Sequence, residues 1–151
     1  MNWHPHVTVA AVVERGGHFL LVEEQDARGR LVVNQPAGHL DPGESLQQAV
    51  VRETREETAW GFLPEAVVGI YLYRSADRGV TYLRVCFSGS CTDHDPEQRL
   101  DAGVQRSLWL SRDEIAALGA RARSPMVLRC TDDYLAGQRF PLQLLGQLQD
   151  A

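Results

Sequence analysis

The sequence predicts a single mixed α/β domain spanning residues 1–151. Three observations predict it. Short β-branched and apolar runs recur along the chain, one long helical segment interrupts them, and 151 residues at 44% hydrophobic can bury a real core. No repeat, low-complexity tract or linker divides the chain.

Residues 7–13 (VTVAAVV) and 18–23 (HFLLVE) read as strands, and the intervening ERGG is a hairpin signal. A short strand at 31–33 is ended by Pro36 and Gly38. Asp41, Pro42 and Gly43 form a turn, and Glu44 or Ser45 opens a helix running to about Trp60. Residues 61–64 stop it. Strands follow at 67–73 and 81–88, joined by the turn-like SADRG; residues 89–106 are polar and read as loop before a short strand near Leu108. Ser111 caps a helix with Asp113 and Glu114 in its first turn, where the dipole favours them. Ser124 and Pro125 open a last helix to about Ala136, stopped by Gly137.

Charge and composition exclude several classes. A net charge of −5 argues against bulk binding to nucleic acid or anionic membranes, while leaving room for a local basic pocket. Three cysteines, Cys86, Cys91 and Cys130, form no CxxC pair and have no zinc-like spacing, which suits a reduced, cytoplasmic setting. The start MNWHPHVTVA lacks a basic segment followed by a long apolar run, and no window approaches the apolar length of a membrane span, so a cytoplasmic protein is expected.

The long helix carries the chemistry. At 100° per residue from Leu46, Ala49 falls at about 300° and Val50 at about 40°, the apolar face. Glu53 at about 340°, Glu56 at about 280° and Glu57 at about 20° continue that face, whereas Gln47, Gln48 and Arg55 hold the other side. A solvated amphipathic helix would do the reverse. Three carboxylates half-buried together repel one another or take up protons. A divalent cation removes the conflict, and hard oxygen ligands suit Mg²⁺ or Mn²⁺ sharing a substrate phosphate.

Gly38, five residues, Glu44, seven residues and then Arg52-Glu53-Thr54-Arg55-Glu56-Glu57 resembles the Nudix box, G-x5-E-x7-R-E-U-x-E-E-x-G-U, with Trp60 at its last apolar position. Two positions depart from it. Thr54 replaces a larger aliphatic residue, and Ala59 replaces a Gly whose usual φ > 0 costs Ala roughly 1–2 kcal/mol. Gly61 is expected to take over the stop, giving a slightly longer helix.

The resemblance implies the Nudix fold, a mixed β-sheet sandwiched between α-helices with a catalytic loop–helix–loop, and hydrolysis of a diphosphate linked to another group. It implies Glu53, Glu56 and Glu57 as metal ligands, Gly38 as a backbone ligand, and Arg52 with Glu44 as the pair supporting helix and loop. Within the family the chain resembles the bacterial NudJ-type phosphatases through PHVTVA (5–10), LLVEE (20–24), NQPAGHL (34–40), RSPMV (123–127) and GQRFPLQLLG (137–146). That similarity implies Mg²⁺-dependent removal of terminal orthophosphate from nucleoside tri- and diphosphates, thiamine diphosphate and its aminopyrimidine precursor.

The base that takes the proton from water is open at this stage. Glu53 or Glu57 could serve. Relatives carry an acid three or four residues before Trp109, but here Arg106 and Gln105 stand there, so Asp101 is the nearest alternative, with Glu97 and Asp95 beyond. His39, beside Gly38, is a candidate phosphate contact. Arg84 and Arg139 are candidates because guanidinium matches phosphate bidentately. Trp3, Tyr71, Tyr73 and Phe140 are candidates for stacking on a ring, or core. Cys86 reads as buried, and His4 and His6 as edge-strand residues. Partners are small phosphate anhydrides, and the chain is expected as monomer or homodimer. Other diphosphate substrates, such as oxidised nucleotides, nucleotide sugars and dinucleoside polyphosphates, and a non-catalytic ligand-binding domain are the competing readings.

Overall fold

The computed structural model describes residues 2–150. Its strands are β1 (His6–Val12), β2 (Glu14–Arg15), β3 (His18–Gln25), β4 (Leu31–Asn34), β5 (Ala37–His39), β6 (Trp60–Ser75), β7 (Val80–His94) and β8 (Val104–Ser111). Its helices are α1 (Leu46–Thr58), α2 (Arg112–Ala116) and α3 (Met126–Leu135). One sheet has the order β5-β1-β7-β6 and is mixed, because β1 runs parallel to β7 and antiparallel to β5. In the second sheet β3 is central, with β8 along one edge and β2 and β4 along the other.

The apolar run VTVAAVV is buried on both sides, as a central strand between two layers must be. Ala10 and Val12 of β1 join Phe19, Leu21, Cys86, Ile115, Met126, Val127 and Cys130 in one cluster, toward α2 and α3. Val9, Ala11 and Val13 join Leu20, Ala49, Val50, Phe62, Val85 and Phe87 in the other, toward α1. Helices thus cover both faces of the strand layers, the α/β sandwich expected. Cys86 is buried as expected.

Four expectations need correction. The ERGG turn closes only a two-residue ladder, Glu14↔Phe19 and Arg15↔His18; β1 itself pairs with β5 and β7 in the other sheet. The turn switches sheets because both faces of β1 need cover. Helix α1 is not longer than the motif: Ala59 itself takes the left-handed conformation, φ 62, and its N–H caps Arg55 O. Gly61 lies inside β6, where a side chain would meet Thr92, Asp93 and Arg55, and the 61–64 segment opens a 16-residue strand instead of a stop. Pro64 is tolerated there because β6 is an edge strand with a register shift at that point. Polar residues 89–94 continue β7 and 104–106 begin β8, leaving 95–103 as the loop. Paired strands satisfy their backbones even when one side faces water, so polarity was a poor guide here.

Candidate active site

The site begins with how α1 is held. Ser45 caps it, accepting from Gln48 N–H at 3.0 Å, while Gln48 Oε1 accepts from Ser45 N–H at 2.8 Å. Thr54, in place of the aliphatic residue, is buried with its hydroxyl donating to Val50 O at 2.7 Å, so the departure leaves no polar atom unpaired. Ala49, Val50 and Glu57 share the buried face, which is where the wheel places them, and Thr54 joins them there.

Arg52 organises the loop before the helix and the carboxylates on it. It grips Glu44 twice, at 2.7 and 3.0 Å, and donates to Glu53 at 2.9 Å, Glu56 at 3.2 Å and His39 O at 3.0 Å. Glu44 also accepts from Asp41 N–H at 2.7 Å, locking the turn. The Arg52 bonds hold the Glu44 carboxyl below its usual range. A side chain at Gly38 would overlap the Glu53 carboxylate, so the glycine is the surface on which that carboxylate rests.

The carboxylates are strained. Burial pushes Glu57 up to about 9 against its bond from Ala37 N–H, and nearby Glu24, Glu53 and Asp101 add to the rise. Burial pushes Glu53 up to about 7, with Arg52 pulling against it and Glu56 and Asp101 adding. Glu56 is raised too, first by burial and then by Asp101.

Asp101 reaches this cluster through the 95–103 loop. Asp95 N–H donates to Ala59 O at 3.1 Å, Gln98 to Arg55 O at 2.6 Å and Asp101 N–H to Glu56 O at 3.0 Å. One loop therefore caps the open C-terminal carbonyls of α1. Oxygens of Glu53, Glu56 and Asp101 lie within 4.8 Å of one another. This donor set of hard, mutually repelling carboxylates fits a divalent cation. Glu57 stands outside that trio, its carboxylate turned to Ala37. Asp95 bonds Glu97 N–H and neither residue joins the trio. Arg106, where relatives carry an acid, pairs with Glu23 at 3.3 Å.

A cleft of about 450 Å³ opens beside the cluster, lined by Ala37, Gly38, His39, His6, Thr8, Tyr73, Tyr82, Arg84, Glu24, Asn34 and Arg123 among others. His39 is at its rim, 3.0 Å from His6. Arg84 is at its floor and 3% exposed, donating to Gln35 Oε1 at 2.9 Å and Asn34 Oδ1 at 3.0 Å. Tyr73 lines the cleft, stacked against Tyr82, while Tyr71 is tied to Asp133 at 2.8 Å. Arg139 is elsewhere: its guanidinium lies 3.7 Å over the Tyr134 ring and donates to Tyr134 O at 2.8 Å, capping α3. The expected phosphate contact at Arg139 is therefore corrected to a helix-end clamp, and Phe140 beside it pairs with Val67 of β6. Trp3 and Phe140 lie outside the cleft lining.

Glu24, Asn34 and Arg123 were not singled out from sequence. Glu24 accepts from Arg123 at 3.0 Å, and its carboxyl is raised by burial while Arg123 and Asn34 pull it back. For Glu24 and Asn34 the signal was available, since each is a polar residue at or next to the end of an apolar run; Arg123, in GARARSPM, carried none.

The chain belongs to the Nudix family: the NUDIX domain profile matches residues 4–130. Fold and family together define a Nudix hydrolase acting on phosphate anhydrides. Among curated proteins it is similar to Phosphatase NudJ of Escherichia coli (strain K12), 37% identical over 142 residues, 94% of this chain and 91% of the relative. Phosphatase NudJ of Shigella flexneri matches at the same 37%. Among solved structures, a NUDIX hydrolase from Nitrosomonas europaea superposes with a TM-score of 0.94 at 50% identity, covering 96% of this chain and 98% of the other. A UDP-X diphosphatase shares the fold, with a TM-score of 0.74 at 16% identity over 93% of this chain and 68% of that one. Among the described residues, no helix is long and apolar enough to cross a membrane.

Proposed function

We propose that this chain is a broad-specificity, Mg²⁺-dependent phosphatase that removes terminal phosphate from nucleoside tri- and diphosphates and from thiamine-type pyrimidine diphosphates. Mn²⁺ is a substitute cofactor, and the enzyme is cytoplasmic, a monomer or homodimer, and acts on small molecules rather than nucleic-acid polymers or membranes. One observation carries the reading: the carboxylate cluster and the cleft are continuous, because Gly38 backs onto Glu53 and Ala37 onto Glu57 while both line the cleft. Similarity to relatives named phosphatases supports removal of orthophosphate.

Glu53, Glu56 and Asp101 would hold the cation, with Glu57 and the Gly38 carbonyl at its margin. When bound, it neutralises phosphate oxygens and lowers the pKa of an attacking water. Arg52 and Glu44 hold the loop and helix in register. Among the described residues, Arg52 is bonded to Glu53 and Glu56 but to no atom of Asp101. Asp101 is therefore the carboxylate we assign to the water's proton. His39 and Arg84 face the substrate side of the cleft.

The test is product analysis with Mg²⁺ on GTP, GDP, thiamine diphosphate and a nucleotide sugar. Orthophosphate from several of the first three supports the proposal. Pyrophosphate with a nucleoside monophosphate, or cleavage of the sugar nucleotide alone, replaces the specificity. No turnover points to a ligand-binding domain.

A further inference from the structure

The least comfortable residue in the cleft is Arg84. It is 3% exposed, has no carboxylate within ion-pair distance among the described residues, and its Nε has no partner. Its bonded neighbours are neutral amides and the Cys130 sulfur, 3.9 Å away. Glu24 feels the Arg84 charge across the cleft, but burying a guanidinium with no carboxylate bonded to it is unfavourable, and an apolar residue of similar volume would do better for stability alone. What the arrangement achieves is orientation. A guanidinium only donates, so the amide oxygens of Asn34 and Gln35 must both face it.

For Gln35 the consequence is internal, since its NH₂ is spent on Val127 O at 2.7 Å. For Asn34 the consequence reaches the cleft. With its Oδ1 taken by Arg84, its NH₂ is left on the other side, and both Asn34 and Glu24 line the cleft. Register makes them diagonal neighbours on one sheet face, because Val22 faces Asn34 and Glu24 faces Val32. Arg123, 3.0 Å from Glu24 Oε1, holds that carboxylate as an acceptor. The cleft therefore offers a fixed donor beside a fixed acceptor.

We propose that the Asn34–Glu24 pair, locked in orientation by Arg84, reads the edge of the substrate's heterocycle and selects rings with an acceptor nitrogen next to an exocyclic amino group. Adenine, cytosine and a thiamine-type aminopyrimidine present that edge; guanine, hypoxanthine and uracil present the inverse, a ring N–H beside a carbonyl, so the pair grades affinity among accepted substrates and does not bar guanine nucleotides. Spacing agrees with a nucleotide lying along the floor. Thr8 pairs with His39 on one side and Arg84 on the other, so Arg84 stands two strands, about 10 Å, from the His39 end beside the carboxylates. Tyr82, on the Arg84 strand and stacked with Tyr73, supplies an aromatic wall.

The inference rests on the proposed substrate class, and its test reads the cleft without turnover. Calorimetric titration of the whole protein with Mg²⁺ compares AMP with IMP and CMP with UMP. The expected result is at least tenfold tighter binding of each amino member. That preference collapses to within threefold in Asn34→Ala and in Arg84→Met. The melting temperature of Arg84→Met is expected to be equal to or above the parent's, which a merely structural Arg84 does not allow. Equal affinities in the parent, or a preference that survives Asn34→Ala, overturn the inference. If Arg84→Met fails to fold, Asn34→Ala alone decides. A preference for AMP together with no release of orthophosphate from any substrate sinks the proposed activity and leaves the edge-reading intact.

Discussion

Gly38 and Glu53 are in a lock that only hydrogen can satisfy: a methyl group built on Gly38 overlaps the Glu53 carboxylate, which Arg52 holds at 2.9 Å. Gly38→Ala must push that carboxylate out of the trio it forms with Glu56 and Asp101. Turnover is expected to fall by about 100-fold or more, with stability lowered by about 1–3 kcal/mol from overpacking. Mg²⁺ titration of activity checks it, and near-parental turnover would remove Gly38 from the site.

The acidic cluster predicts an inverted pH response in metal-free protein. Glu57 is raised to about 9 and Glu53 to about 7 by burial, from 4.5 in the unfolded chain. The folded state therefore holds protons that the unfolded state has released. Their contribution is fully present below about 4.5 and is lost as pH rises through 7 and 9. In chelator, the urea midpoint is expected to fall between mildly acidic and alkaline pH, and Glu57→Gln to flatten the fall. Saturating Mg²⁺ should remove much of it. A midpoint that rises with pH in chelator contradicts the account.

Asp101 should behave as a member of the cluster despite lying in a loop outside the motif. Asp101→Asn, Glu56→Gln and Glu57→Gln are each expected to lower activity by orders of magnitude without unfolding the protein. Asp101→Asn should also weaken the Mg²⁺-induced rise in melting temperature. Unchanged turnover in Asp101→Asn would return the base to Glu53 or Glu57.

Arg139→Ala supplies the contrast. Its guanidinium caps the end of α3 and covers Tyr134, so its loss should lower stability by about 1 kcal/mol. Turnover should stay within threefold of the parent. A large rise in KM with unchanged stability would restore it to the substrate.

Ala59 carries the backbone strain of the motif. Its φ of 62 is the only positive value at a non-glycine among the described residues. Ala59→Gly relieves roughly 1–2 kcal/mol of left-handed strain but forfeits a buried methyl worth about 0.8 kcal/mol. A gain of a few degrees in thermal midpoint with activity retained is expected. A lower midpoint would mean that methyl packing outweighs strain.

The sequence by itself determined the α1 arrangement, because a 3.6-residue period assigns each side chain a direction whatever surrounds it. From that period alone Glu53, Glu56 and Glu57 could be placed on the buried side, while the role of Arg52 came only from the motif's resemblance. The buried strands at β1, β3 and β7 were legible for the same reason, as apolar runs have few other places to go. Tertiary structure decided what depends on distance in space. Ala59 takes the left-handed conformation because the chain must turn at once into β6, which Gly61, committed to a close strand contact, cannot delay. Asp101 becomes a neighbour of Glu56 because a loop 45 positions along the chain satisfies the helix's open carbonyls, a need visible only once the helix end exists. Arg139 and Arg84 look alike in sequence, yet one clamps a helix end and the other is sealed under the cleft. Which one lies beside the cleft was set by how β7 and α3 pack, since strand register and helix docking carry no local signature in the residues they bring together.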